Sequence, residues 1–345
     1  MCGIVGYVGK KKAIEVVING LETLEYRGYD SAGIAYKNNN GELKVFKEPG
    51  KIVNLKKELN MKESADLAVG HTRWATHGEP SKINSHPHAA GKITLVHNGI
   101  IENYEALKKE DILKNHEFIS DTDTEVAAAL INALYEETKD VNKALEAASK
   151  KLIGSYAFGV IAHDDNKLYA MRKNAPLIIG IGDGENFIAS DVPAILKYTK
   201  NYYTLDDGDI AVLTPNDVKV YRDGKLVNKE MLTFEYDIET GMKNGYDHFM
   251  LKEIYEQPEV LERTVNEYLK NGELVNLPDL SKYKRIDIVA CGSAYHVGCV
   301  AKHIFEEYAD TEVNTYIASE YRYKKCFLDK DGLLIVISQS GETAD

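Results

Sequence analysis

The strongest constraint on the fold of this 345-residue chain is a change in the kind of segment it carries near residue 228. Before that point, short apolar runs recur at 4–8, 33–36, 43–46, 67–70, 93–97, 156–162, 167–171, 177–181, 186–189 and 209–213. Their length and composition predict strands. Helices are expected at 11–25 and 122–137, each with apolar residues at helical spacing, and at the Ala-rich 142–152. Asp121 or Thr122 stands where the second of these needs a cap. Many strands with a few helices between them predict stacked sheets and helices, an α+β layered domain. Residues 229–280 are charged and Tyr-rich, with a helix expected over 253–269, and read as a connecting segment. Then an apolar strand from Arg285 ends in small residues, a helix follows at 297–308, and further strands come at 312–318 and 332–337. That alternation is the signature of a parallel α/β sheet. With about three strands and no helix after the last, this sheet is unfinished, and the chain is expected to be a fragment of a longer protein. The domain limits follow as 1–226, 227–277 and 278–345.

The length suffices for two domains and a sizeable core. A net charge of −12 argues against a nucleic-acid partner, and Lys10-Lys11-Lys12 is too short to form a basic patch. No apolar run approaches the roughly 18 residues a membrane helix needs. No secretory signal is read either, because a strand begins at once at Ile4. Four cysteines without metal-ligand spacing fit a reducing cytoplasm.

Cys2 follows the initiator methionine, so removal of Met1 would leave a thiol and a free α-amine on one residue. An α-amine of pKa roughly 7.7–8.0 is partly neutral at pH 7 and can serve as the base that generates a thiolate. The densest polar cluster is His71-Thr72-Arg73-Trp74-Ala75-Thr76-His77-Gly78. Arg73 offers a planar fork suited to a carboxylate, and Trp74, the sole tryptophan, can cover a small pocket beside it. Taken singly, Trp74 is more commonly core and Arg73 a surface ion pair. His97-Asn98-Gly99 ends a strand. A side-chain amide followed by a glycine N–H can form an oxyanion hole, although Asn-Gly judged locally reads as a hairpin turn. Ser120-Asp121-Thr122-Asp123-Thr124-Glu125 supplies good helix caps, and one of its carboxylates could instead receive an ammonium group. His71, His77, His86 and His88 match no standard metal spacing. Near the end, Ser338-Gln339-Ser340-Gly341-Glu342-Thr343 and Cys291-Gly292-Ser293 lie at strand C-termini, where open α/β sheets bind ligands. Their hydroxyls and backbone N–H groups suit a phosphate monoester, and without a Walker lysine a sugar phosphate is the natural candidate.

Together, Cys2-Gly3-Ile4, Tyr26–Gly33, His71–Pro80, His86-Pro87-His88, His97–Asn103 and Thr122–Glu125 resemble the glutaminase domain of the N-terminal-nucleophile (class II) amidotransferases. The remainder resembles a sugar isomerase (SIS) domain. The resemblance implies an N-terminal-nucleophile hydrolase fold of stacked antiparallel sheets between helices, followed by the start of an α/β parallel-sheet domain. It also implies an aminotransferase that hydrolyses glutamine and passes the ammonia to fructose 6-phosphate, giving glucosamine 6-phosphate. Cys2 would be the nucleophile, with its own α-amine as base, and Asn98 and Gly99 the oxyanion hole. Arg73 would hold the glutamine carboxylate and Asp123 its ammonium; Thr76 and His77 would line the pocket and Trp74 close over it. This overturns the turn reading of Asn98-Gly99 and the capping reading of Asp123, though Asp123 could do both. Ser293, Ser338, Gln339, Ser340 and Thr343 would grip the sugar phosphate, whereas Ala294 stands where the family often has a serine and is not counted as a ligand. The family's isomerase lysine, acid and base would lie beyond Asp345, leaving this chain the glutaminase half-reaction. The resemblance further implies a homodimer built through the isomerase domains, no cofactor and no metal. Two other readings compete with this one. A different class II amidotransferase would need a diphosphate-sugar or ATP site, and a non-enzymatic sugar-phosphate sensor would leave Cys2, Arg73, Asn98 and Asp123 unexplained.

Overall fold

The computed structural model describes residues 2–74, 78–234, 245–325 and 330–338. The chain divides into two compact units, Met1–Gly245 and Tyr246–Asp345.

In the first unit the elements run β1 (Gly3–Gly9), α1 (Ala13–Thr23), β2 (Ser31–Asn38), β3 (Leu43–Pro49), α2 (Ile52–Glu58), β4 (Ala65–Arg73), β5 (His88–Ala90) and β6 (Ile93–Ile101). Then come α3 (Tyr104–Leu107), α4 (Asp123–Thr138), α5 (Val141–Ser149), β7 (Gly154–Ala162), β8 (Leu168–Lys173), β9 (Ile178–Ile181) and β10 (Glu185–Ala189). It closes with β11 (Asn201–Thr204), β12 (Ile210–Leu213), β13 (Val218–Arg222), β14 (Lys225–Val227) and β15 (Leu232–Thr233). The strands form two sheets, of order β15-β11-β9-β10-β1-β4-β2-β3 and β14-β13-β12-β8-β7-β6-β5. Every strand pairing in them is antiparallel. β15 pairs with β11, so the first sheet still gains residues after position 226.

Period-two alternation sends each central strand's side chains to two different cores. Ile4 and Val8 of β1 and Val69 of β4 meet Val96, Ala157, Ile161 and Leu168 of the second sheet, forming a dry layer between the sheets. On the opposite face of the first sheet, Val5, Tyr7, Ile34 and Tyr36 pack beneath Val17 and Leu21 of α1. Leu95, Phe158 and Val160 do the same under Leu130 and Leu145 of α4 and α5. The result is helix, sheet, sheet, helix, the layered architecture expected. Each fully buried Leu, Ile or Val adds about 1.5–3 kcal/mol of apolar transfer, so the two central strands are the most firmly held backbone of the unit.

The helix expected at 11–25 is shorter, because a 3-10 turn at Glu25–Arg27 takes over its end. α2, α3, β5, β11, β13, β14 and β15 were not expected. They are short or carry too many polar residues for a periodic signal.

The second unit holds α6 (Phe249–Tyr268), a small hairpin β16 (Leu269–Lys270) and β17 (Glu273–Leu274), then β18 (Arg285–Ala290), α7 (Gly292–Ala309), β19 (Glu312–Ile317), α8 (Ala318–Tyr321) and β20 (Gly332–Ile337). β19 and β20 flank β18, both parallel to it. Ile286, Ile288 and Val313 form its core with Phe305 of α7. α7 starts five residues earlier than expected, since Gly292-Ser293-Ala294 lets the chain turn into the helix directly after β18.

Candidate active site

Cys2 immediately precedes β1, the strand whose neighbour β4 sets Thr72 opposite Gly3. That register carries Arg73 and Trp74 past the cysteine. The Cys2 Sγ accepts from the Trp74 backbone N–H at 3.2 Å and lies 3.5 Å from the Trp74 carbonyl, to which the thiol can donate. Partial burial pushes the Cys2 thiol up from its ordinary pKa, against the opposing effects of the Trp74 N–H and the Arg73 charge. The resting sulfur is therefore a thiol, and a base is needed to make it a nucleophile.

Asn98 comes from the other sheet. Its Nδ2 donates to the Cys2 carbonyl at 3.0 Å, and its Oδ1 accepts from Nε2 of His71, 3.0 Å away on β4. The Asn98-Gly99 pair is no hairpin turn. Both residues lie inside β6, opposite Ala157 and Tyr156 of β7. Gly99 is there because the backbone demands it: φ is +125°, and a Cβ would stand 2.0 Å from the Ser155 carbonyl oxygen. Asn98 thus sets an amide donor beside Cys2 with Gly99 next along the strand, residue types able to stabilise negative charge on an attacked carbonyl.

Arg73 is the last residue of β4 and is buried. Its guanidinium donates to the carbonyls of Glu79 and Gly78 at 3.3 Å each, holding the chain where it leaves the site. Trp74 is 45% exposed and meets Tyr29 edge-on, with ring centroids 5.4 Å apart, so it stands at the mouth rather than in the core. Asp123 is buried at the first position of α4. Thr122 is the cap, its hydroxyl accepting from Glu125 N at 3.3 Å. Asp123 instead reaches to β6, where Oδ2 accepts from Ile101 N at 2.7 Å, and Oδ1 accepts from the Thr124 hydroxyl at 3.3 Å. The carboxylate at a helix N-terminus is also favoured by the helix dipole.

Of the histidines that invited a metal reading, His71, His86 and His88 gather beside His97, which was not among them, and His77 lies outside the described residues. His71, His86, His88 and His97 are all buried. His71 stacks on His86 at 4.1 Å, and the rings of His86 and His97 lie 6.4 Å apart. Burial holds His71 down at about 3, and drives His86 and His88 well below the usual imidazole range. Sequence reasoning assigned no role to His97 or Thr124. Their signal is visible only in the register that faces β6 toward α4. Thr76 and His77 lie outside the described residues.

In the second unit Ser293 occupies the first turn of α7 and Ser338 follows β20; both are exposed. Ala290 of β18 pairs with Ile337 of β20, so the two loops leave the same end of the parallel sheet. Gln339, Ser340 and Thr343 lie outside the described residues.

Residues 71–197 match the model of the glutamine amidotransferase domain, and residues 279–345 match that of the SIS domain. The chain thus carries a glutamine amidotransferase domain followed by a SIS domain. Over its whole length it is 48% identical to the glutamine–fructose-6-phosphate aminotransferase [isomerizing] of Caldanaerobacter subterraneus subsp. tengcongensis, 47% to that of Aquifex aeolicus and 46% to that of Methanosarcina mazei. It spans 58%, 58% and 59% of those relatives' lengths. Two solved structures share the fold at 19% identity. The glutamine phosphoribosylpyrophosphate amidotransferase of B. subtilis aligns with 91% of this chain and 65% of its own, at a TM-score of 0.58. A structure described as the allosteric regulatory enzyme of purine biosynthesis aligns over 99% and 90%, at 0.60.

Proposed function

We propose that the first unit hydrolyses glutamine at Cys2. The supporting observation is that Asn98 of one sheet donates to the backbone carbonyl of Cys2, which leads into β1 of the other, with Gly99 next along the strand. After Met1 removal, the Cys2 α-amine takes the thiol proton and the thiolate attacks the side-chain carbonyl carbon of glutamine. Negative charge on that oxygen is met by Asn98 Nδ2 and Gly99 N–H. The intermediate collapses by breaking the C–N bond; the amine returns its proton to the leaving nitrogen, and ammonia departs. The γ-glutamyl thioester left on Cys2 is then cleaved by water to glutamate and free thiol. Arg73 pairs with the substrate carboxylate and Asp123 with its ammonium, Thr76 and His77 line the pocket, and Trp74 covers it.

In the whole protein the ammonia is passed to the C2 carbonyl of fructose 6-phosphate, and isomerisation gives glucosamine 6-phosphate. The relatives' names support this reading, as does the SIS match. Ser293, Ser338, Gln339, Ser340 and Thr343 bind the sugar phosphate. Residues 1–226 are the glutaminase part, 227–277 a connecting segment and 278–345 the SIS part, in a cytoplasmic homodimer. Among the described residues no helix is long and apolar enough to cross a membrane.

The test is glutamate release from glutamine by the purified chain, beside Cys2→Ala. Release abolished by the substitution supports the assignment. Release that survives it refutes Cys2 as nucleophile.

A further inference from the structure

The network behind Asn98 has a fixed direction, which can be followed donor by donor. His86 Nδ1 accepts the His97 backbone N–H at 3.1 Å, so that nitrogen carries no proton and the ring is neutral, protonated at Nε2. His86 Nε2 faces the Thr124 hydroxyl at 3.4 Å, and His97 Nδ1 faces the same hydroxyl at 2.9 Å. Thr124 has one proton, directed at Asp123 Oδ1. His86 Nε2 therefore donates to Thr124, and with the hydroxyl proton on Asp123, His97 Nδ1 donates to it as well. An amide oxygen can only accept, so His71 Nε2 donates to Asn98 Oδ1, which leaves Nδ2 as the group turned toward Cys2. The backbone beneath supports this arrangement. Gly33 lacks a Cβ where one would lie 2.0 Å from the His86 carbonyl oxygen.

We propose that the stacked pair His71 and His86 are positioning residues of the glutaminase site. His71 sets the orientation of the Asn98 amide; His86 sets the β6 backbone at His97 and, through Thr124, the Asp123 carboxylate. One buried imidazole stack thus governs both ends of the glutamine pocket. The inference rests on the reading of Cys2, Asn98 and Asp123 given above. Burial favours the neutral rings the network requires, because a charged imidazole without a carboxylate partner is costly in such a place.

The test uses the 345-residue chain with two substitutions at His71, chosen because Leu is close to His in volume and Gln retains an N–H donor. His71→Leu frees the Asn98 amide to rotate. An oxyanion donor acts mainly in the transition state, so kcat falls about 10- to 100-fold while KM for glutamine moves less than about threefold. His71→Gln restores at least about tenfold of that loss. A purely structural role would lower the unfolding midpoint of both variants alike, without the kcat-against-KM split and without rescue by Gln. Nitrogen-15 shifts of the histidine rings give a second readout, independent of activity. His71 and His86 are expected as Nε2–H tautomers, neutral between pH 6 and 8. A protonated ring or an Nδ1–H tautomer at either residue overturns the proposal. An active wild type with kcat unchanged in His71→Leu overturns this inference alone. A wild type whose glutamine turnover survives Cys2→Ala overturns the reading beneath it.

Discussion

Replacing Gly99 by alanine tests how far the site is set by backbone geometry. The new Cβ would meet the Ser155 carbonyl oxygen at 2.0 Å, the Ser155 carbonyl carbon at 2.7 Å and the Tyr156 Cα at 2.9 Å. All three are backbone atoms of the paired strand β7, so no rotamer change relieves the clash. β6 and β7 must part by about an ångström near the Ile101–Gly154 end of their pairing. Holding a non-glycine residue near φ +125° costs about 1–3 kcal/mol. Losing one or two ladder hydrogen bonds adds about 1 kcal/mol each. The total is about 2–5 kcal/mol, a large share of the about 5–15 kcal/mol that stabilises a typical domain. With a urea m-value of about 2 kcal/mol/M, the midpoint falls by about 1–2.5 M. Urea unfolding followed by Trp74 fluorescence measures this, since Trp74 is the only tryptophan and lies in the first unit. Gly208→Ala is the control: φ is +82° there, but nothing lies within 4 Å of the added Cβ, so only the conformational cost of about 1 kcal/mol remains. A Gly99→Ala midpoint no lower than that of the control would refute the close-approach argument.

Further outcomes are expected. Asn98→Ala lowers kcat for glutamine hydrolysis about 10²–10³-fold with KM little changed, the usual effect of deleting one oxyanion donor; a loss confined to KM would contradict the role given to it. Thr124→Val cuts the link from His86 and His97 to Asp123 and raises KM for glutamine about tenfold or more, measured by steady-state kinetics; an unchanged KM would dismiss the relay. Acidification destabilises the first unit. His71, at about 3 in the folded chain, and His86 and His88, lower than usual, all return to about 6.5 on unfolding. The unfolded state then binds more protons, so the stability from these neutral rings is complete above about pH 6.5 and is lost as pH falls toward 3. Each contributes a slope of up to about 1.4 kcal/mol per pH unit. Urea midpoints from pH 8 to 5 check this, and a flat profile below pH 6.5 would show that the rings are already charged in the fold.

The layered architecture was legible because its central strands are buried on both faces and read as unbroken apolar runs, as at 4–8 and 156–162. α4 was legible for a similar reason, since its stripe and its cap at Thr122 agree. Strands such as Asn201–Thr204 and Lys225–Val227 were not, because they lie toward sheet edges where polar residues are tolerated. The dipeptide Asn98-Gly99 shows the limit of local reading. A positive φ makes it resemble a hairpin turn, while the actual requirement is the neighbouring strand's carbonyl at Ser155. Cys2, Arg73, Asn98 and Asp123 were identifiable as a set through the family resemblance. The histidine stack was not, because its members come from β4, the loop before β5 and β6, and only the packing of the two sheets brings them together.

The central claim is that a processed Cys2 carries the γ-glutamyl group, and peptide mass spectrometry tests it most directly. The chain would be incubated with glutamine, quenched in acid and digested. The N-terminal peptide should begin at Cys2 and carry a γ-glutamyl thioester that is absent from a sample quenched before glutamine is added. Glutamate release by a chain that keeps Met1, or by one whose Cys2 peptide is never acylated, would contradict it.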